Sequence, residues 1–178
     1  MFDVNPFIII SIVIIAIIFV FSIVWTTLKG APWFPTKMEK VKKMLSLAEI
    51  KSDEIVYDLG CGDGRFIITT ARKFDAKAVG IEVDFFLYLW CQFLITFLGL
   101  RKKVKVFYGD LFKKDLSNAD VIVCFLWPST NKRLEEKLVK ELKPTARIVS
   151  NKFIFQGLKL INKDLQDEIY VYSTEKTI

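Results

Sequence analysis

Asp58-Leu59-Gly60-Cys61-Gly62-Asp63-Gly64 is the stretch on which the reading of this chain turns. It follows a short apolar run, Ile55-Val56-Tyr57, and precedes a segment with helical character, Arg65 to Phe74. A strand, a glycine loop and a helix in that order build the ligand crevice of an open α/β sheet. A dinucleotide fingerprint reads G-x-G-x-x-G. Here the glycines fall at 60, 62 and 64, so the third comes early, and Asp58 sits two residues before the first. At the carboxyl end of its strand, Asp58 is placed to face a cationic group on a ligand. The bland alternative is a glycine-rich turn that holds nothing. A second carboxylate speaks for a ligand. Ala78-Val79-Gly80-Ile81-Glu82 reads as the next strand, and an acidic residue about 20 positions on can accept both hydroxyls of a ribose. Taken alone, Glu82 would be only a solvated strand end.

The D-x-G-x-G-x-G spacing resembles motif I of the Rossmann-like methyltransferases that use S-adenosylmethionine. The resemblance implies that the loop of Gly60, Cys61, Gly62 and Gly64 carries the cofactor's carboxylate and ribose, with Asp58 toward its cationic end. Gly109-Asp110 closes the third strand expected. Asp110 is then placed to accept the adenine amino group, and the backbone at Leu111 and Phe112 to meet the ring edge. The cofactor expected is S-adenosylmethionine. With no histidine in the chain, a histidine metal site and a histidine general base are excluded, and no metal is expected.

The rest of the chain alternates in the same rhythm. Strands are expected at 55–59, 78–83, 104–108, 121–126 and 146–150, and helices at 65–73, 84–99 and 131–142. Leu158–Ile161 and Ile169–Tyr172 form a closing antiparallel pair. Alternating strands and helices argue an α/β fold, a Rossmann-like, mostly parallel sheet with helices on both faces. Ahead of the glycine loop, Thr36 and Glu39 read as a capping box, and Met38, Val41, Leu45 and Ala48 recur at helical spacing, giving one buried face. The helix over 84–99 stands apart. Phe85, Phe86, Leu89, Trp90, Phe93 and Phe97 are among residues that cover all of its faces. Either it is packed under other elements, or its outer face meets the membrane interface, the N-terminal segment or a second subunit.

Four runs resemble a narrower family, the small archaeal protein-lysine methyltransferases and their mitochondrial relatives with a membrane-targeting N-terminal segment. They are Pro32-Trp33-Phe34-Pro35-Thr36, the glycine motif from Val56 to Arg65, Val79-Gly80-Ile81-Glu82, and Leu126-Trp127-Pro128-Ser129-Thr130-Asn131. The resemblance implies a lysine-N-methyltransferase. Trp33, Pro35 and Thr36 would contact the target, while Trp127, Pro128, Ser129 and Asn131 line the channel over the methyl group. Trp33, Phe34 and Trp127 are placed for cation–π contact with an amine, or for plain packing. Ser129, Thr130 and Asn131 either orient that amine or cap the helix that follows. Two departures concern the acceptor: the apolar helix after Glu82, which is charged and amphipathic in soluble members, and Lys37 in place of a frequent proline.

Phe7 to Leu28 carries no charge and is long enough to cross a hydrocarbon core of roughly 30 Å as a helix. The start has Asp3 and no basic residue, unlike a cleaved signal peptide. Residues 1–30 are therefore expected to be a membrane anchor and 31–178 the methyltransferase domain. Lys29, Lys37, Lys40, Lys42 and Lys43 all follow the apolar run, which places that domain in the cytoplasm of a single-pass protein. The partners expected are a protein lysine and membrane lipid, the latter through residues 7–28 and the 84–99 helix. A net charge of +6 suits nucleic acid, an anionic leaflet or an ordinary lysine-rich surface. The Asn/Asp-Pro-Pro-aromatic motif of nucleic-acid amine methyltransferases is absent, which argues against nucleic acid. Methylation of a lipid or membrane-dissolved small molecule is the alternative. Cys61, Cys91 and Cys124 form no C-x-x-C and read as reduced, buried thiols.

Overall fold

A computed structural model describes residues 5–29 and 34–176. Trp33 lies outside them, and so does the role expected of it. The elements are helix α1 (Pro6–Lys29), α2 (Met38–Leu47), strand β1 (Ile55–Leu59), α3 (Arg65–Lys73), β2 (Lys77–Glu82), α4 (Phe85–Phe97) and β3 (Val104–Tyr108). A 3-10 turn at Leu111–Lys113 leads to β4 (Val121–Cys124), α5 (Pro128–Glu141), β5 (Arg147–Asn151), β6 (Leu158–Asp164) and β7 (Ile169–Lys176).

The strands form one sheet in the order β3-β2-β1-β4-β5-β7-β6. The first five are parallel; β7 returns antiparallel to β5, and β6 pairs antiparallel with β7. The expected closing pair is present, each strand running a few residues longer than its apolar core. Val121-Ile122-Val123-Cys124 of β4 is buried throughout, as a central parallel strand covered on both faces must be. One face packs Val41, Met44 and Leu45 of α2 and Phe66 of α3 onto Val56, Val121, Val123 and Val149. Toward the β3 edge, Ile67 and Ala71 of α3 meet Cys91 and Ile95 of α4 over Ala78, Val104 and Val106. The other face carries Leu134 and Leu138 of α5 and Leu111 of the 3-10 turn. All three cysteines are buried and free.

Three local expectations are corrected. The Thr36–Glu39 capping box does not form. The helix starts at Met38 behind Lys37, with no side-chain cap. The Thr36 hydroxyl instead accepts from Asn151 Nδ2 at 3.2 Å, because a buried long-range partner outcompetes a local cap. Met38, expected on the buried face, is exposed, while Met44 takes a place in the core. Helix α5 begins at Pro128, three residues early. Proline at the first helical position has the right φ and no amide left unbonded, so Trp127 holds the cap position and its carbonyl accepts from the amides of Thr130 and Asn131, each at 2.9 Å. Ser129, Thr130 and Asn131 thus lie inside the first turn and do not cap it.

The anchor also needs a correction as a structural statement. Among the described residues, no helix is long and apolar enough to cross a membrane.

Candidate functional site

β1 lies between β2 and β4, so the chain leaves it in opposite directions on its two sides. Such a switch point opens a crevice beyond the carboxyl ends of the strands, and a cavity of about 270 Å³ lies there. Asp58, Gly60, Cys61, Gly62, Glu82, Asp110, Leu111, Pro35, Thr36 and Trp127 all line it. Gly64, Pro128, Ser129 and Asn131 are not part of the lining. Gly64 caps α3, its carbonyl accepting from the Ile68 amide at 2.9 Å. Pro128 and Ser129 lie in the first turn of α5. Asn131 is fully buried there, and its Nδ2 donates to the Phe153 carbonyl at 3.1 Å. That bond ties α5 to the loop after β5.

The glycine loop folds back over β2. The amides of Gly60 and Cys61 both donate to the Ile81 carbonyl, at 2.9 and 3.1 Å. Gly60, Gly62 and Gly64 adopt φ of 82°, 55° and 82°, a region that residues with a Cβ avoid. This turn exposes backbone to the cavity and delivers the Gly62 amide to Glu82 Oε2 at 2.7 Å. Glu82 Oε1 accepts from the Val83 and Asp84 amides at 2.8 Å each. Three backbone donors therefore aim one buried carboxylate.

Asp58 is buried beside it, and its Oδ2 has no hydrogen-bond partner among the described residues. Burial pushes the Asp58 carboxyl well above the usual range, and the charges of Glu82 and Asp63 push it further. Burial also raises Glu82, against the pull of the Asp84, Gly62 and Val83 amides. An orphaned buried carboxylate oxygen is costly. One orphaned carboxylate oxygen beside a second buried carboxylate on the same cavity calls for a cation and for hydroxyl donors. S-adenosylmethionine offers both, an ammonium with a sulfonium and a ribose diol, so the residues present fit it. Asp110 completes that end. Its side chain accepts from the Phe112 amide at 2.9 Å, and the Gly109 amide donates to the Glu82 carbonyl at 2.8 Å.

The sign of the pH dependence follows. An acid whose folded pKa is raised binds more protons folded than unfolded, so stability falls as pH rises through that window. The empty protein is expected to lose thermal stability from the ordinary carboxylate range upward, and Asp58→Asn to flatten the curve. Cofactor affinity is expected to rise over the same window as the carboxylates ionise. Thermal midpoints and titration calorimetry across pH check both; a flat wild-type profile contradicts the account.

The opposite end of the cavity is aromatic. Phe34 and Phe125 meet edge-on with ring centroids 6.5 Å apart, and Phe125 stacks on Phe153 at 6.0 Å. Trp127 is half exposed at the rim. Lys152 also lines the cavity, its Nζ 5.7 Å from the Phe153 ring centre. Sequence reasoning missed Lys152 and Phe153; Phe125 opens the segment after β4 that was expected to border the methyl group, and it lines the cavity. The rule that strand carboxyl ends border the crevice, applied to β5 as it was to β4, would have found the other two.

The segment carrying Phe34 is held by long-range bonds. The Arg65 guanidinium pairs with Asp63 and donates to the Thr36 carbonyl, and Asn151 bonds the Thr36 hydroxyl. Asn151→Ala is expected to cost about 1 kcal/mol and to raise the KM for the methyl acceptor several-fold, leaving cofactor affinity unchanged. Thermal unfolding and steady-state kinetics check it; an unchanged acceptor KM counts against the segment's role.

Comparison with known proteins bears directly on this geometry. The profile of the ANTKMT methyltransferase domain matches residues 58–162, from Asp58 into β6. The chain belongs to this family. Within it, the ANTKMT-type chain is 38% identical over 148 residues to a protein-lysine N-methyltransferase of Saccharolobus islandicus, covering 79% of this chain and 92% of that one. It is 31% identical over 122 residues to the adenine nucleotide translocase lysine N-methyltransferase of Mus musculus, covering 68% of this chain and 53% of that one. It therefore spans nearly all of the archaeal relative and about half of the mouse one. Among solved structures it resembles an RNA methyltransferase from Salinibacter ruber in complex with S-adenosyl-L-homocysteine. The TM-score is 0.75 at 34% identity, over 82% of this chain and 96% of that one. The ANTKMT-type chain is an S-adenosylmethionine-dependent methyltransferase, and S-adenosylmethionine is its cofactor.

Proposed function

We propose that the enzyme transfers a methyl group from S-adenosylmethionine to the ε-amine of a protein lysine. The observation that carries this reading is the aromatic end of the cavity, walled by Phe34, Phe125, Trp127 and Phe153. A lysine stem is a narrow aliphatic chain with a compact cationic head. Aromatic walls suit the stem by burial and the head by cation–π attraction. The archaeal and mouse relatives are both named for lysine methylation.

Asp58 would face the cofactor's cationic end, Gly60, Cys61 and Gly62 would form its floor, and Gly64 holds the turn. Glu82 accepts the ribose hydroxyls, while Asp110 and Leu111 meet the adenine. Bound there, S-adenosylmethionine supplies an electrophilic methyl on a cationic sulfur. This chain's residues then position the amine. Pro35 and Thr36 set the entrance, with Trp33 before them, and Trp127 leads into the Pro128, Ser129 and Asn131 turn that supports the far wall. A lysine amine, ordinarily near pKa 10.4, must be neutral to attack. Apolar walls and the neighbouring Lys152 cation both disfavour its protonated form. Among the described residues no strong base lines that end, so alignment contributes most of the rate. Held in line by these walls, the neutral amine would take the methyl, the sulfur leaving as the neutral thioether of S-adenosylhomocysteine, and the methylammonium so formed would release its proton to solvent.

The same reading includes a tether. Helix α1 has 24 residues, about 36 Å at 1.5 Å per residue, and no charge between Pro6 and Leu28. Among the described residues no helix qualifies as a span, so the tether rests on the uncharged sequence run from Phe7 to Leu28, which motivates residues 1–30 as a single-pass anchor and 31–178 as the catalytic domain, on the cytoplasmic side by the lysines that follow.

A second reading, RNA methylation, is favoured by the likeness to the Salinibacter protein, a solved RNA methyltransferase. The full-length enzyme, incubated with radiolabelled S-adenosylmethionine, membranes and soluble extract, separates the readings. Label recovered as methyl-lysine after protein hydrolysis is expected. Label confined to RNA establishes the second reading, and label confined to lipid overturns both.

A further inference from the structure

Helix α4 is held to the sheet by a narrow stripe. Cys91 and Ile95 are buried under it, whereas Phe86, Leu89, Trp90, Phe93 and Phe97 are exposed. The exposed residues recur at spacings of three and four, so they share one face. Phe97 is 75% exposed. The rings also contact one another: Trp90 and Phe93 lie 5.9 Å apart, and Phe93 stacks on Phe97 at 5.9 Å. Phe85 continues the patch edge-on to Tyr108 of β3 at 5.6 Å. Nothing among the described residues covers this face. A contiguous aromatic surface of that size is costly in water.

The surroundings of the patch are basic. Arg101 and Lys102, in the turn after α4, are exposed. Asp75, a carboxylate at this rim, is already paired with Lys103. An apolar face bordered by cations complements an interface where acyl chains meet anionic headgroups. A protein partner would need matching acids, and lipid provides them without shape.

We propose that this face of α4 docks on an anionic lipid surface, as a peripheral contact separate from α1. Bilayer lipid is chosen as the occupant partly because of the tether proposed for α1, on which the inference rests to that extent. Leu87, on the same helix, lines the cofactor cavity. Docking would therefore hold the site at a set height above the bilayer.

The test uses full-length protein reconstituted in vesicles of phosphatidylcholine mixed with phosphatidylglycerol. The native cysteines are buried, so a nitroxide reagent reaches an introduced thiol. Phe97→Cys probes the face and Ile12→Cys probes α1. Lys159→Cys, on the β6 edge opposite β3, is the control. Docking predicts that the label at position 97 is oxygen-accessible and shielded from a water-soluble nickel chelate, while the control stays wet. The shift should weaken in pure phosphatidylcholine and with added salt. The combined change Phe86→Ser, Phe93→Ser in the Phe97→Cys chain should lower the docked fraction at least ~10-fold.

Equal water exposure at positions 97 and 159, with position 12 in lipid, overturns docking and leaves the tether standing. A wet label at position 12 with position 97 in lipid supports docking and overturns the tether. Spin–spin broadening at position 97 with shielding from both reagents identifies a second copy as the occupant and overturns the inference.

Discussion

Glu82→Ala lowers the affinity for S-adenosylmethionine by at least ~100-fold. A charge-assisted hydrogen bond is worth about 1.5–3 kcal/mol, and in the proposed site two ribose hydroxyls would lose their acceptor at once. The Gly62 amide, which donates to Glu82 Oε2 at 2.7 Å, loses its partner too, so the floor of the site loosens. Glu82→Gln separates charge from shape. It retains an acceptor oxygen but presents an amide N–H to either the ribose or the Val83 and Asp84 amides, and about a tenfold loss is expected. The fold is expected to survive both changes, because burial already raises this carboxyl and its removal relieves that cost. Titration with S-adenosyl-L-homocysteine gives the affinities, and the thermal midpoint of the empty protein reports the fold. An affinity within threefold of wild type for the alanine variant would remove Glu82 from the ribose site.

The second large effect lies under the loop. Gly80 sits inside β2, paired with Asp58 in the parallel register. A Cβ there would stand 2.6 Å from Cys61 Sγ and 3.0 Å from both Cys61 Cβ and Ile67 Cδ1. Neither neighbour is the free end of a long side chain. Cys61 is fixed through its amide to the Ile81 carbonyl, and Ile67 is fully buried in α3. Gly80→Ala must therefore lift the loop or push α3 away. Overpacking of this kind costs typically 1–3 kcal/mol, roughly 2–12 °C in Tm for a domain of this size. Cofactor affinity should drop at least ~10-fold with it, since the displaced loop carries the Gly62 amide. Adding Cys61→Ala removes the 2.6 Å contact and leaves the 3.0 Å ones, so partial recovery of both Tm and affinity is expected. Additive losses in the double variant would show that the clash is not the cause.

Much of the site was legible because its parts are local. Asp58 through Gly64 joins β1 to α3 with no intervening element, so glycine spacing alone reports the turn. Glu82 ends the very next strand. The sheet was legible for a related reason: apolar runs of strand length alternating with amphipathic helices leave few topologies. Thr36 was misread, because a capping pattern competes with Asn151, which lies far along the chain. The start of α5 was misread because Pro128 favours an early first turn over the polar residues that follow. In α4 the chain showed apolar side chains all round the helix, and this pattern cannot say which are covered.

The chain alone therefore established the family of fold and the cofactor, and it picked out Asp58, Glu82 and Asp110, which line one cavity, all of which rest on short-range order. Parallel pairing of β4 with β5 was needed to bring Phe153 and Lys152 beside Phe125, and antiparallel return of β7 to close the edge. Packing of Cys91 and Ile95 onto the β2–β3 edge left the aromatic face of α4 in the open. The physical reason is the same in each case. Side-chain chemistry and turn geometry act over a few residues, whereas burial and wall-building are properties of surfaces that exist only once distant strands have met.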